Sequence, residues 1–439
     1  MTMYDEQTRQ RIRQARGKFA AMAAAYALGV FNDNFFKQAA MLLAIGAGRV
    51  DLQGWATVVF ALPFVVLAAP AGWLADRFPK RRVVIASKAL ELVAMLCGAA
   101  GICTQSWGLI LVMVCTMGTQ ATIFSPSLNG SIPELYPVQY VTIANGIVKV
   151  FSTAAILLGI AAAGFALDFG HSAAAVRHGW GQSMFGVPTG PAAVSAIVIA
   201  VAVLGLLGSL GVPSRPAAAP RRPFPWSGPV DTVKTIAAMR ADRLLATVVG
   251  ADVFIWFVGT LQVLMVNLLG KGELRLSDGS TSLLAAAELV GLAVGGLLSG
   301  RLAAGPRWHR VLAPSAGAMA AAMALIPLAV RMPPDARQWC LLGLLGAAGL
   351  FGGLFMIPCE SFIQVRPAAD RKGAIIAAAN AAAFIGIMLA GPACNGIGAV
   401  VNPSTGFAMI AALSLATALV LPRMLRDAEK SARVNADEH

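Results

Sequence analysis

Two short runs of charged and amide side chains stand inside otherwise apolar sequence, and each has the spacing of an interaction. In Asn32-Asp33-Asn34, followed by Lys37, the carboxylate and the ammonium are four residues apart and share a helix face. Lys88 and Glu91, three residues apart, do the same. An ionised group at membrane depth costs roughly 3 kcal/mol or more unless it is paired or faces water. Each run therefore marks either an ion pair that holds helices together or a point on a transport path. Three adjacent polar residues point around most of a helix, so Asp33, with Asn32 and Asn34, is expected to line a central cavity. For Lys88 and Glu91 a structural pair and a gating role both stay open.

Further polar points stand alone: Lys149, Asp252, Gln262, Glu288 and Glu360. Lys149 could meet an anionic phosphate or neutralise Asp33 or Glu360. Asp252 reads as interfacial, because its helix begins near Arg243. Glu360 sits in Pro358-Cys359-Glu360-Ser361, read as a helix break, where a gate or a helix-end contact competes with substrate binding. Other chemistry finds no support. The six cysteines lie in or beside apolar segments with no CxxC pair, and the histidines are unclustered, so no metal or cofactor is expected. No His-x4-Asp motif occurs and no soluble catalytic domain is evident, which argues against an acyltransferase or any other enzyme.

The elements that hold these residues follow from composition. The chain is 57% hydrophobic and 13% charged, against about a quarter charged in a soluble domain. Apolar stretches near 19–47, 53–75, 83–104, 107–131, 143–168, 192–213, 243–270, 280–303, 309–331, 336–362, 372–396 and 404–423 are each long enough to cross about 30 Å of hydrocarbon. The fold class is thus an all-α membrane protein of twelve transmembrane helices in two six-helix pseudo-repeats. The expected divisions are a cytoplasmic N-terminus (1–18), an N-terminal bundle (19–213), a Pro- and Arg-rich cytoplasmic linker (214–241), a C-terminal bundle (242–423) and a cytoplasmic tail (424–439).

The net charge of +13 reports topology and not a nucleic-acid partner. Arginines and lysines cluster at 9–18, 77–82, 215–240, 301–310, 366–372 and 423–433, all on one side of the threaded chain. By the positive-inside rule that side is the cytoplasm, with both termini inside the bacterial inner membrane. The halves echo one another. Gly72 to Arg77 has a counterpart in Gly296 to Arg301, and Pro126 with Asn145 has one in Pro358 with Asn380, each proline placed before a polar turn.

Gly72-Trp73-Leu74-Ala75-Asp76-Arg77-Phe78-Pro79-Lys80-Arg81-Arg82 resembles the loop 2–3 signature of the major facilitator superfamily, with Pro79-Lys80 in place of Gly-Arg. There the glycine would let two helices approach, Asp76 would sit at the positive end of a neighbouring helix, and Arg77 and Arg81 would stay in the cytoplasm. Within that superfamily the chain resembles the lysophospholipid transporters, including membrane domains fused to an acyltransferase and acyl-carrier-protein synthetase. Phe31 to Lys37, Lys88 to Glu91, Ser125-Pro126, Ala144-Asn145-Gly146 and Ala154 to Gly159 carry the likeness, with Gly352-Gly353 and Ile357-Pro358 later in the chain. Ser127-Leu128-Asn129 stands where the family has x-Lys-Tyr, and Lys149 where it has glutamate.

The resemblance implies an alternating-access transporter that takes an amphipathic lysophospholipid from the outer to the inner leaflet. The alternative is a proton-coupled exporter of hydrophobic or drug-like molecules, against which Lys37 and Lys149 speak mildly. Expected substrate or coupling residues are Asp33, Asn32, Asn34, Lys37, Lys149, Gln262 and Glu360. Expected gating residues are Gly72, Asp76, Arg77, Arg81, Lys88, Glu91 and Asn145. The expected partners are the bilayer, the lipid or small-molecule substrate and a cytoplasmic lysophospholipid acyltransferase, with the protein itself a monomer.

Overall fold

In a hydrocarbon solvent each backbone N–H and C=O must be satisfied within the chain, which leaves helices as the answer to so apolar a sequence. The computed structural model describes residues 6–136, 138–169, 188–212, 216–217, 219–221, 223–303, 307–367 and 371–437, and among them the regular elements are helices. The first six are α1 (Glu6–Gly46), α2 (Asp51–Val66), α3 (Ala68–Arg77), α4 (Lys80–Cys103), α5 (Trp107–Leu135) and α6 (Val138–Asp168). Next come α7 (Thr189–Ser209), a short α8 (Gly228–Ala238), α9 (Arg243–Asn267), prolonged by a π-helical turn to Glu273, and α10 (Asp278–Leu302). The last five are α11 (Leu312–Ala324), α12 (Ile326–Ala329), α13 (Pro334–Val365), α14 (Lys372–Val400) and α15 (Pro403–Asp437).

Ten of the described helices are long and apolar enough to span a bilayer, and α2 with α3, bent by 52°, makes an eleventh if the two are one span. The expected first span lies in α1, whose polar Asn32 to Asn34 run and Lys37 dilute its apolar stretch below that standard. At 41 residues α1 is about 60 Å long, twice the hydrocarbon core, so it reaches well beyond 19–47. Its opening turns are packed: Ile12, Ala15 and Phe19 join a core with Leu128, Ile132 and Tyr136, and the Phe19 and Tyr136 rings meet edge to face at 5.2 Å.

Two expected interruptions are absent. Helix α5 runs on past Pro126 to Leu135, and α13 runs through Pro358 to Val365. A proline removes one N–H and crowds the preceding turn, yet unwinding in lipid would strand several backbone groups, so the helix continues. Glu360 therefore lies within a helix and not in a break. The expected linker likewise contains a helix, α8.

The chain divides into two compact units, one formed by residues up to Ala40 with Val66–Gly228, the other by Met41–Val65 with Pro229 onward. In the first, α4 packs between α5 and α7, α3 lies on α5, and α6 on α7. In the second, α10 packs along α13, α11 against α15 and α13, and α9 against α14 and α15.

The α10–α13 contact is made by backbone. Gly291 and Gly295 on α10, and Gly349 and Gly353 on α13, are small-x3-small pairs. A Cβ at Gly291 would overlap the carbonyl oxygen of Gly346, at Gly295 that of Leu350, at Gly349 that of Glu288, and at Gly353 that of Leu292. Such close approach is how membrane helices gain dispersion contact when lipid offers no hydrophobic drive. Gly349→Val is expected to lower the thermal unfolding midpoint sharply, because overpacking costs about 1–3 kcal/mol or more where backbone must move. Gly343→Val on the same helix, where a Cβ meets nothing within 4 Å, should leave the midpoint unchanged. Equal midpoints for the two variants in detergent would contradict this packing account.

Candidate functional site

The polar triplet of α1 is distributed among its neighbours. Asn32, fully buried, donates from Nδ2 to the carbonyl of Val198 on α7 at 3.0 Å and to Glu91 Oε1 on α4 at 3.4 Å. Asp33, 9% exposed, accepts from Gln120 Nε2 of α5, which lies 3.4 Å from each carboxylate oxygen. Asn34 donates back to Val30 O of its own helix at 2.8 Å. Polar triplets on a straight helix must face different ways, and here two of the three side chains find partners on other helices.

Lys88 and Glu91 complete the cluster. Lys88 Nζ lies 2.6 Å from Glu91 Oε2, with the side chains 2% and 0% exposed, and the ammonium also sits 5.2 Å from the centre of the Phe124 ring. Tyr26 of α1 stacks on that same ring, the two centres 5.8 Å apart. Gly29 of α1 makes room for the pair: a Cβ there would collide with Lys88 Nζ. Among the described residues Glu91, Lys88 and Lys37 are charges within electrostatic reach of Asp33, so the structure gathers Asn32, Asp33, Lys37, Lys88, Glu91 and Gln120 in one unit. Lys149 is not part of that gathering. It is exposed on α6, and its carbonyl accepts from Ser152 Oγ at 2.9 Å. Asn145 falls in α6, with its side chain outside the described residues.

The loop-signature residues make their own assembly at the end of α3. Arg77 lies over the Trp73 ring at 5.3 Å, Trp73 meets Phe224 at 5.1 Å, and the Asp76 carbonyl accepts from Ala219 N at 2.8 Å. Arg81 donates from Nη2 to the carbonyl of Leu210 at 2.9 Å, where a cation complements the carbonyl end of α7. A Cβ at Gly72 would meet nothing within 4 Å among the described residues, so the close helix approach expected of that glycine is not made here.

In the second unit Gln262 is buried on α9, with Nε2 3.7 Å from Met319 Sδ of α11. Glu360, half-buried, and Asp252 are within electrostatic reach of one another. Asp252 is 5% exposed, packed among the helices of its unit. Asp252 Oδ1, Gln262 Oε1 and Glu288 Oε2 are buried acceptors for which no hydrogen-bond donor is found among the described residues. The same unit holds two amides the sequence did not flag. Gln53 Nε2 donates to Leu264 O at 3.2 Å and meets Cys394 Sγ at 3.5 Å, and Asn395 Nδ2 donates to Asp51 O at 3.0 Å. Phe64 and Phe384 stack there at 4.0 Å. Among the described residues no cluster of three His, Cys, Asp or Glu side chains is arranged to hold a metal.

Long apolar helices, with a buried ion pair and buried amides between them, define a multi-pass membrane protein of the transporter type. The chain belongs to the Major Facilitator Superfamily, whose family model matches residues 18–272. It is 29% identical over 371 residues to the lysophospholipid transporter LplT of Enterobacter sp. (strain 638), covering 80% of this chain and 81% of that one. It is 27% identical over 359 residues to the LplT of Serratia proteamaculans (strain 568), with 80% and 81% covered. Its fold is similar to that of a solved structure of a bacterial homologue of the human lysosomal transporter Spinster, itself in an inward-facing, unoccupied conformation (TM-score 0.66, 14% identity, 94% of this chain and 95% of that one).

Proposed function

We propose that the chain is an alternating-access transporter that carries lysophospholipid from the outer to the inner leaflet of the bacterial inner membrane. The observation that carries the reading is the buried network around Asp33, set in a chain whose relatives over four fifths of its length are named lysophospholipid transporters. A single acyl chain needs an apolar path, and a zwitterionic or anionic head needs a few fixed charges beside it. Asp33, Lys37, Asn32 and Asn34 serve the head in the first half, Gln262 and Glu360 in the second, and the exposed Lys149 meets the phosphate. Lys88, Glu91, Asn145, Gly72, Asp76, Arg77 and Arg81 act in the conformational change. The chain moves its cargo and makes or breaks no bond in it; re-acylation falls to a cytoplasmic acyltransferase. It works as a monomer with both termini in the cytoplasm, as the distribution of arginine and lysine supports.

Spheroplasts expressing the protein are expected to take up labelled lysophosphatidylethanolamine or lysophosphatidylglycerol in preference to the two-chain lipids. Asp33→Asn preserves size and removes charge, and should cut uptake by about 10-fold or more while insertion is retained. Lys149→Ala should weaken uptake, and Lys149→Glu weaken it further. Energised efflux of a lipophilic cation by a wild type that takes up no lysolipid would replace this reading with the drug-exporter one. For orientation, reporters after His439 and near Pro220 should be cytoplasmic and one near Gly181 periplasmic; a periplasmic linker would overturn the assigned sidedness.

A further inference from the structure

The chain between α7 and α9 carries an apolar face that the protein leaves exposed. On α8, Val230 and Val233 stand one turn apart and are 55% and 64% exposed, with Ala237 exposed one turn further on. Trp226, two residues before the helix, is 87% exposed, although its ring meets Phe224 at 4.7 Å. Within α8, positions 230, 233 and 237 keep the spacing of a single helical stripe. At 11 residues α8 is far too short to span a bilayer, which takes about 20.

The charges around this stripe choose its partner. From 214 to 241 the sequence has Arg215, Arg221, Arg222, Lys234 and Arg240 against one acid, Asp231. Of these, Arg221, Lys234 and Arg240 are exposed in the structure. Exposed valines on one face of a short helix, with lysine and arginine beside them and a tryptophan just ahead in sequence, are the composition of a segment that lies in the headgroup region. Spanning helices on both sides, α7 ending at Ser209 and α9 beginning at Arg243, keep the segment at the bilayer surface, so its local concentration against lipid is high.

We propose that α8 forms an interfacial anchor that binds anionic phospholipid headgroups in the leaflet on the linker's side. The apolar stripe enters the headgroup–acyl boundary, and Lys234 and Arg240 pair with lipid phosphates. The anchor adjoins the segment that docks on the loop signature, through Phe224 on Trp73 and Ala219 N on Asp76 O. That the leaflet is the cytoplasmic one rests on the orientation proposed above.

Hydrogen exchange by mass spectrometry on the full-length protein tests this, with nanodiscs of phosphatidylcholine alone compared with nanodiscs containing phosphatidylglycerol. Amides 230–238 should exchange about 10-fold more slowly in the anionic discs, and the protection should fall at high salt. Val230→Glu with Val233→Glu should abolish it without changing exchange in α10 and α13. Equal exchange in both lipids would overturn the proposal. So would protection that follows protein concentration, which would assign the face to a second copy. Both faces of a nanodisc carry the same lipid, so a wrong orientation fails only in the reporter measurement.

Discussion

A buried ion pair is tolerable in hydrocarbon only if both charges are closed on each other and the remaining polar atoms are met as well. Lys88 and Glu91 are closed on each other, with the Phe124 ring facing the ammonium and Asn32 Nδ2 meeting the second carboxylate oxygen, while Asn32 Oδ1 finds no donor among the described residues. Glu91 takes one oxygen to Lys88 and the other to Asn32, which ties α4 to α1, and Asn32 reaches on to the Val198 carbonyl of α7. The space for a lysine head comes from glycine: Gly29 would clash with Lys88 Nζ if it carried a Cβ. Removing one partner of such a pair leaves an uncompensated charge at about 3–5 kcal/mol, several times the worth of an exposed ion pair. Asp33, one residue from Asn32 and held by Gln120, is thus set by a network that also fixes three helices.

The second half is held differently. Its closest contact, α10 on α13, is a ridge of glycines in which backbone meets backbone, and the Glu288 carbonyl is the surface against which Gly349 lies. Dispersion at short range does there what charge closure does in the first half. Amide side chains appear at single positions, as with Gln53 and Asn395, each of which donates to a backbone carbonyl of another helix.

Much of this is legible in the sequence, and the residues show why. Apolar stretches and the Arg and Lys distribution give a multi-pass helical protein, because lipid solvation acts on every residue of a span. The i,i+3 spacing of Lys88 and Glu91 gives their pairing, because that contact lies within one helix. What spacing cannot supply is the partner on another helix. Gln120, a lone amide in an apolar run, gives no signal that it meets Asp33, and the Gln53 and Asn395 contacts join positions more than 200 residues from their partners. The breaks expected at Pro126 and Pro358 do not form, because proline is a stronger helix terminator in water than in lipid. Lys149 is legible as a charge in an apolar stretch, yet its exposure on α6, away from the charges around Asp33, depends on how the helix is turned.

The account turns on the Lys88–Glu91 pair as the structural hold on the polar network, and a double-mutant cycle on thermal unfolding of the purified protein measures it. Lys88→Met and Glu91→Gln should each lower the unfolding midpoint, since each leaves one buried charge alone. The double variant carries no charge at either position, and the amide oxygen introduced by Glu91→Gln can still accept from Asn32. It should therefore recover most of the loss and give a coupling above about 1 kcal/mol. A double variant destabilised by the sum of the two single losses would mean that the pair does not hold the first half together.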